Sequence, residues 1–214
     1  MLIAVTNTVR RKGDYYATAR REHLQAEGWS VGGPLYSRPD TCRALLLNCT
    51  IAQFYPFDSN RGAALRFSNG ENDGETLHKY PLYQMDCINS IVTGYADDVV
   101  MGSVADSTIS YTYKFQNCIL RTDSIDNGDN IKNVIWEDAD SVATDTVYGG
   151  EKNFKLVDIN KQHFDFHLSN VSKAIGKGTK EDNYYMPTDR EGRKRDDEPD
   201  LGCYEYVEPV KEQE

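Results

Sequence analysis

The sequence predicts an all-β protein whose strands stack in parallel as successive coils of a solenoid. Three observations lead there. A short phrase recurs as Asn48-Cys49-Thr50-Ile51, Asn89-Ser90-Ile91-Val92 and Asn117-Cys118-Ile119-Leu120, with a further copy at Asn7-Thr8-Val9. Its asparagines lie 41, 41 and 28 residues apart, and recurrence on that scale marks stacked repeats. Between the phrases runs a second kind of segment, Gly62 to Phe67 and Asp97 to Gly102, giving each coil at least two strands. All these segments are too short, and too rich in β-branched and aliphatic residues, for typical helices.

An asparagine within a strand is unfavourable unless its buried amide is hydrogen-bonded. Four at one point of four strands, Asn7, Asn48, Asn89 and Asn117, imply a shared solution. The expected one is an amide ladder, each side chain inward and bonded to the next rung. Cys49, Ser90 and Cys118 then form a row of small side chains beside it. The pattern resembles the right-handed, single-stranded parallel β-helix of pectin-lyase-like proteins. An antiparallel sandwich with strands of similar composition is the competing fold.

The chain, taken in order, begins within a repeat. Met1 to Val5 has no charged leader region and no cleavage pattern, so it does not read as a signal peptide. A solenoid end needs a capping element, so the expectation is the C-terminal part of a longer protein with an open first coil. Residues 14–27 hold the strongest helix formers and end at Gly28, which suggests a short helix over that coil. Phe54, Tyr55 and Phe57 crowd around Pro56, as core cover or as a sugar-stacking cluster. Residues 69–79 read as a polar loop. Asp123 to Asp129 has Asp, Asn and Gly where an EF-hand loop needs them, but Ile125 and Val134 stand at ligand positions, so it reads as a solvated acidic turn. Beyond Gly149 the spacing is lost. Asp165 to Asn170 reads as a strand, residues 179–200 as a charged stretch, and Leu201 to Val207 as a last strand before a frayed end.

Ser172, Ala174, Ile175 and Gly178, then Asp189, Gly192 and Arg195, then Pro199, Asp200, Gly202, Tyr204 and Glu205 fall in the order SxAIxxG, DxxGxxR, PDIGAYE. That order resembles the C-terminal end of bacterial β-helix proteins with a choice-of-anchor Q domain. Leu201 and Cys203 stand in place of the usual Ile and Ala. The resemblance implies coils over residues 1–171, a capping segment over 172–207 and a tail over 208–214. It also implies export to a bacterial surface. In this reading Leu201 and Tyr204 cover the last coil, and Asp189 pairs with Arg195.

The chain has 214 residues, enough for one domain with a real core. A net charge of −10 argues against nucleic acid as a partner, since phosphate binding needs clustered Lys and Arg. No run reaches the ~18 apolar residues of a membrane span. None of the five cysteines forms a C-x-x-C pair, so neither metal nor cofactor is expected. Polygalacturonase-type chemistry has only Asp97-Asp98 to match it, without the later GHG and RIK motifs. The four histidines are scattered, with no two in one phrase. The expected function is therefore non-catalytic binding of a polysaccharide or another macromolecule. An upstream-completed lyase or hydrolase, and a structural stalk, are the alternatives. Alternation places Ala63, Leu65 and Phe67 inward and Arg66 outward. A groove along both runs of the second kind thus makes Arg66, Asp97 and Asp98 the candidate contacts.

Overall fold

In the computed structural model the chain is built mostly of strands. The structure describes residues 3–5, 8–10, 29–31, 42–54, 63–72, 74–126, 128–137, 150–180 and 186–209. The segment 14–27, together with Asn7, Tyr55 and Phe57, lies outside them. In chain order the strands are β1 (Ile3–Val5), β2 (Thr8–Arg10), β3 (Trp29–Val31), β4 (Cys42–Leu47), β5 (Thr50–Gln53) and β6 (Leu65–Ser68). Then come β7 (Gly70–Asn72), β8 (Leu77–Lys79), β9 (Leu82–Gly94), β10 (Val100–Ser103), β11 (Lys114–Leu120) and β12 (Ile131–Trp136). A 3-10 turn (Gly150–Asn153) leads into β13 (Phe154–Asp158) and β14 (His163–Leu168).

Two parallel arrays organise these elements. In the larger sheet β4 and β5 both pair in parallel with β9, β9 with β11, and β11 with β12. In the smaller sheet β3, β6 and β10 are parallel neighbours. From β4 to β11 the chain visits the two sheets alternately. The polar stretch expected as a loop instead contains the antiparallel hairpin β7–β8.

The asparagines set the register. Leu47 lies opposite Ile88 and Thr50 opposite Ile91, which places Asn48 level with Asn89. Ser90 opposite Cys118, and Cys118 opposite Val134, bring Asn117 and Asn133 into the same column. Asn133 escaped the sequence pattern because its step is only 16 residues and a bulky Val134 follows it. All four take left-handed backbone conformations, with φ of 50°, 51°, 50° and 52°. Asparagine is one of the few L-residues that tolerate this region. The repeated residue therefore marks a repeated bend in the chain.

The amides do not bond rung to rung, which corrects the expected ladder. Asn89 Nδ2 donates to the carbonyl of Thr179 at 2.8 Å, and Asn89 Oδ1 accepts the Thr179 N–H at 2.9 Å. Asn117 Nδ2 donates to the carbonyl of Lys177 at 2.8 Å. Asn48 is buried with neither amide atom hydrogen-bonded. A left-handed residue turns its side chain away from the strand face, so these amides meet a crossing chain segment rather than one another. The first strands need a second correction. β1 and β2 run antiparallel to β5 and β4, so the chain around Asn7 does not continue the parallel stack.

Alternation after each bend buries both faces, as parallel sheets commonly do. Cys49, Ile51, Val92, Cys118 and Leu120 join Leu65, Phe67 and Val99 in a core between the two sheets. Ala52, Ile91 and Ile119 point the other way, into a second core with Phe54, Phe154, Phe166, Leu168, Ala174 and Leu201. The C-terminal segment therefore lies along the flank of the larger sheet, where the sequence reading had it closing the end of a coil. Gly202 N–H donates to the Asn89 carbonyl at 2.8 Å, and Cys203 N–H to Thr50 Oγ1 at 3.2 Å. Gly202 has φ 89°, and a Cβ there would sit 2.6 Å from Thr50 Oγ1. Only glycine permits that approach. Residues 201–204 run along this flank as bends and 205–207 as irregular chain, not as the expected strand.

Buried charge fixes the same segment. Arg195, 1% exposed, donates to Glu205 Oε2 at 2.7 Å and to the carbonyls of Asp200 and Gly202. Asp189 is not its partner, as the sequence had suggested. Asp189 instead accepts the backbone N–H groups of Glu191, Arg193 and Glu205. Glu205 also accepts the backbone N–H groups of Asp196 and Asp200, each at 3.3 Å, so its carboxylate gathers the turn around Arg195.

Candidate functional site

The three sequence-predicted contacts do not converge. Arg66 is exposed on β6, between Ser30 and Met101 of the neighbouring strands. Asp97 and Asp98 are exposed just before β10 and brace the turn after β11. Asp97 Oδ1 lies 3.5 Å from Arg121 Nη2, and Asp98 Oδ1 accepts the Thr122 hydroxyl at 2.6 Å. No ion pair joins Arg66 to either carboxylate. Successive residues diverge along a strand, and alternation cannot show that a neighbouring turn will claim both acids.

A cleft of about 380 Å³ lies elsewhere, between β14 and the C-terminal segment, with His167 on its wall. His167 Nδ1 is 2.5 Å from Asp165 Oδ1, and Nε2 is 3.1 Å from Glu191 Oε1. Its ring stacks on Tyr204 at 4.0 Å between centroids. Arg193 Nη1 holds the other oxygen of Glu191 at 2.7 Å. Lys155 and Glu205 also reach the lining. Burial alone would raise the Asp165 carboxyl. The His167 ring, its backbone N–H and its charge together outweigh this and hold Asp165 below the usual carboxylate range. Such an arrangement can store and hand over a proton. The Asp165-x-His167 spacing places both side chains on one strand face, a signal present in the sequence. Glu191, 24 residues on, left none. Among the described residues no cluster of three or more His, Cys, Asp or Glu is arranged to hold a metal ion.

A second polar centre is fully enclosed. Glu137, 1% exposed, accepts the Thr93 hydroxyl at 2.5 Å and Asn153 Nδ2 at 2.8 Å, and Asn153 Oδ1 accepts the Ser172 hydroxyl at 3.0 Å. Gly150 covers it, where a Cβ would collide with Thr93. The network ties β9, β12, the 3-10 turn and the C-terminal segment together. Cys49, Cys87, Cys118 and Cys203 are buried thiols. The Cys118 hydrogen bond and burial push Cys87 well up, and burial pushes Cys203 up to about 12, so both are poor nucleophiles.

Burial raises the carboxyls of Glu137, Asp200 and Glu205. Each binds its proton more tightly when folded than when unfolded. Its contribution is therefore full below the unfolded value, about 4, and is lost as pH rises through the folded value. Asp106, Asp158 and Asp197 are lowered by hydrogen bonds from Lys79, the Lys161 N–H and Lys180, and lose their contribution as pH falls. Stability is expected to peak at mildly acidic pH. Glu137→Gln removes the buried charge, keeps an acceptor for Asn153 Nδ2 and turns its amide NH2 toward the Thr93 hydroxyl oxygen as a donor. It should raise the urea midpoint at pH 8 more than at pH 5; an equal change at both would exclude ionised Glu137 as the cause.

No family model, curated protein or solved structure matches this chain. The fold and the two sites define it as an all-β protein with stacked parallel sheets. No helix among the described residues is long and apolar enough to cross a membrane.

Proposed function

We propose that the chain is part of an exported, non-catalytic right-handed parallel β-helix that binds a polysaccharide along the outer face of β3, β6 and β10. The observation that carries this reading is the register of those strands, which sets Arg66 beside Met101 on an exposed face. Parallel strands repeat equivalent positions every 4.7–4.9 Å or so, a rail suited to a repeating polymer. A guanidinium fork bonds sugar carboxylates and hydroxyls, and Met101, 45% exposed, offers apolar cover for a ring face. The alternation between two sheets and the column of left-handed asparagines support the solenoid. The buried places of Ala174, Arg195, Leu201, Gly202 and Glu205 support the choice-of-anchor-Q-like reading of residues 172–207.

Glycan-array binding followed by titration tests the proposal. Arg66→Ala should weaken binding about 10-fold or more, the worth of a charged hydrogen bond. Asp97→Ala and Asp98→Ala should change it less, because both acids serve the turn after β11. Unchanged affinity in Arg66→Ala would remove this face from consideration. Turnover on uronate-containing or neutral glycans would favour the enzyme reading instead.

A further inference from the structure

We propose that His167 is a proton-operated latch, holding the Glu191 side chain of the 189–193 loop against β14 while its ring is charged and releasing it when the ring is neutral. The argument is one of donors and acceptors. Ionised carboxylates only accept hydrogen bonds, and a neutral imidazole has one N–H. His167 faces Asp165 through one ring nitrogen and Glu191 through the other. Both contacts are attractive only when both nitrogens carry protons. Loss of one proton turns a nitrogen lone pair toward a carboxylate oxygen.

The weaker contact gives way. Asp165 is on the same strand, two residues away, and also accepts the His167 backbone N–H at 3.0 Å. Glu191 stands on a loop, at 3.1 Å, with Arg193 ready to keep its charge paired. The other charges around the ring come from three segments. Lys155 of β13 acts on Asp165, and Arg190 and Glu191 act on Tyr204 beneath the ring. Glu205 and Glu208 line the cleft from the closing segment. The root of the loop stays fixed, since Arg190 N–H donates to the Cys203 carbonyl at 2.9 Å and Arg195 N–H to Pro187. Asp189 Oδ1 keeps the N–H groups of Glu191 and Arg193, so the Glu191 side chain is what swings away, and the cleft beside His167 widens as pH rises. Imidazole side chains as a class change charge between about pH 5 and 8, so the test compares a pH near each end of that interval.

A double-mutant cycle between His167→Ala and Glu191→Ala, read by urea unfolding of the whole chain, measures the contact. At pH 5.5 the coupling should favour folding about 2- to 5-fold, as exposed charged pairs do. At pH 8.5 it should vanish or change sign. In Glu191→Gln the amide can donate to a neutral ring, so coupling should persist at both pH values. Backbone amide resonances of Glu191 to Arg193 should move with the His167 ring titration in the parent and stay still in Glu191→Gln. Coupling equal at both pH values, or the same amide shifts in Glu191→Gln, would overturn the latch.

Discussion

Arg195→Ala is expected to be the most damaging single substitution in the C-terminal segment, at about 3–5 kcal/mol. It removes the partner of Glu205 and two donors to the carbonyls of Asp200 and Gly202, all in a site that excludes water. Burial and the neighbouring Asp200 already raise Glu205, so without the guanidinium it would take up a proton on folding. The loss should therefore be smaller at pH 5 than at pH 8. Adding Glu205→Gln should recover part of it, because the stranded charge is then gone. Denaturant unfolding of the parent, both single variants and the double gives all four values. A cost below about 1 kcal/mol at pH 8 would mean that the segment is held by its apolar contacts alone.

Asn89→Leu should cost a similar amount, through two separable effects. The side chain makes two hydrogen bonds to Thr179, whose loss leaves buried groups unpaired at about 1–3 kcal/mol each. The backbone, at φ 51°, adds about 1–2 kcal/mol for a residue that resists the left-handed region. Asn89→Gly removes the first effect's partner but not the conformation, so it should be milder than Asn89→Leu. At Asn48 the amide has no hydrogen bond to lose, and Asn48→Gly should be close to neutral. Comparable losses for glycine at both positions would show that the amide contacts to Thr179 contribute little.

These substitutions separate what could be read in the chain from what could not. The alternation of Leu65, Arg66 and Phe67 was legible, because strand periodicity is local. So was the equivalence of Asn48, Asn89 and Asn117, because a repeated bend needs a repeated residue able to adopt it. Asn133 fell outside the pattern when the connecting segment shortened. The phrase around Asn7 kept the composition of the others, yet its strands run antiparallel. Composition sets how well a strand pairs, while direction is decided by the path of the chain.

The sequence by itself determined an all-β protein with parallel strands and the equivalence of Asn48, Asn89 and Asn117 within them. Strand composition and alternation are local, and a recurring residue shows in the sequence whatever the distance between its copies. Only the tertiary structure decided that the asparagine amides grip Lys177 and Thr179, that Arg195 takes Glu205 and not Asp189, and that His167 meets Glu191. Asn89 and Thr179 are 90 residues apart. Their meeting follows from where the closing segment crosses the flank of the sheet. An asparagine presents the same donor and acceptor to a neighbouring rung as to a crossing backbone, and packing alone chooses between them.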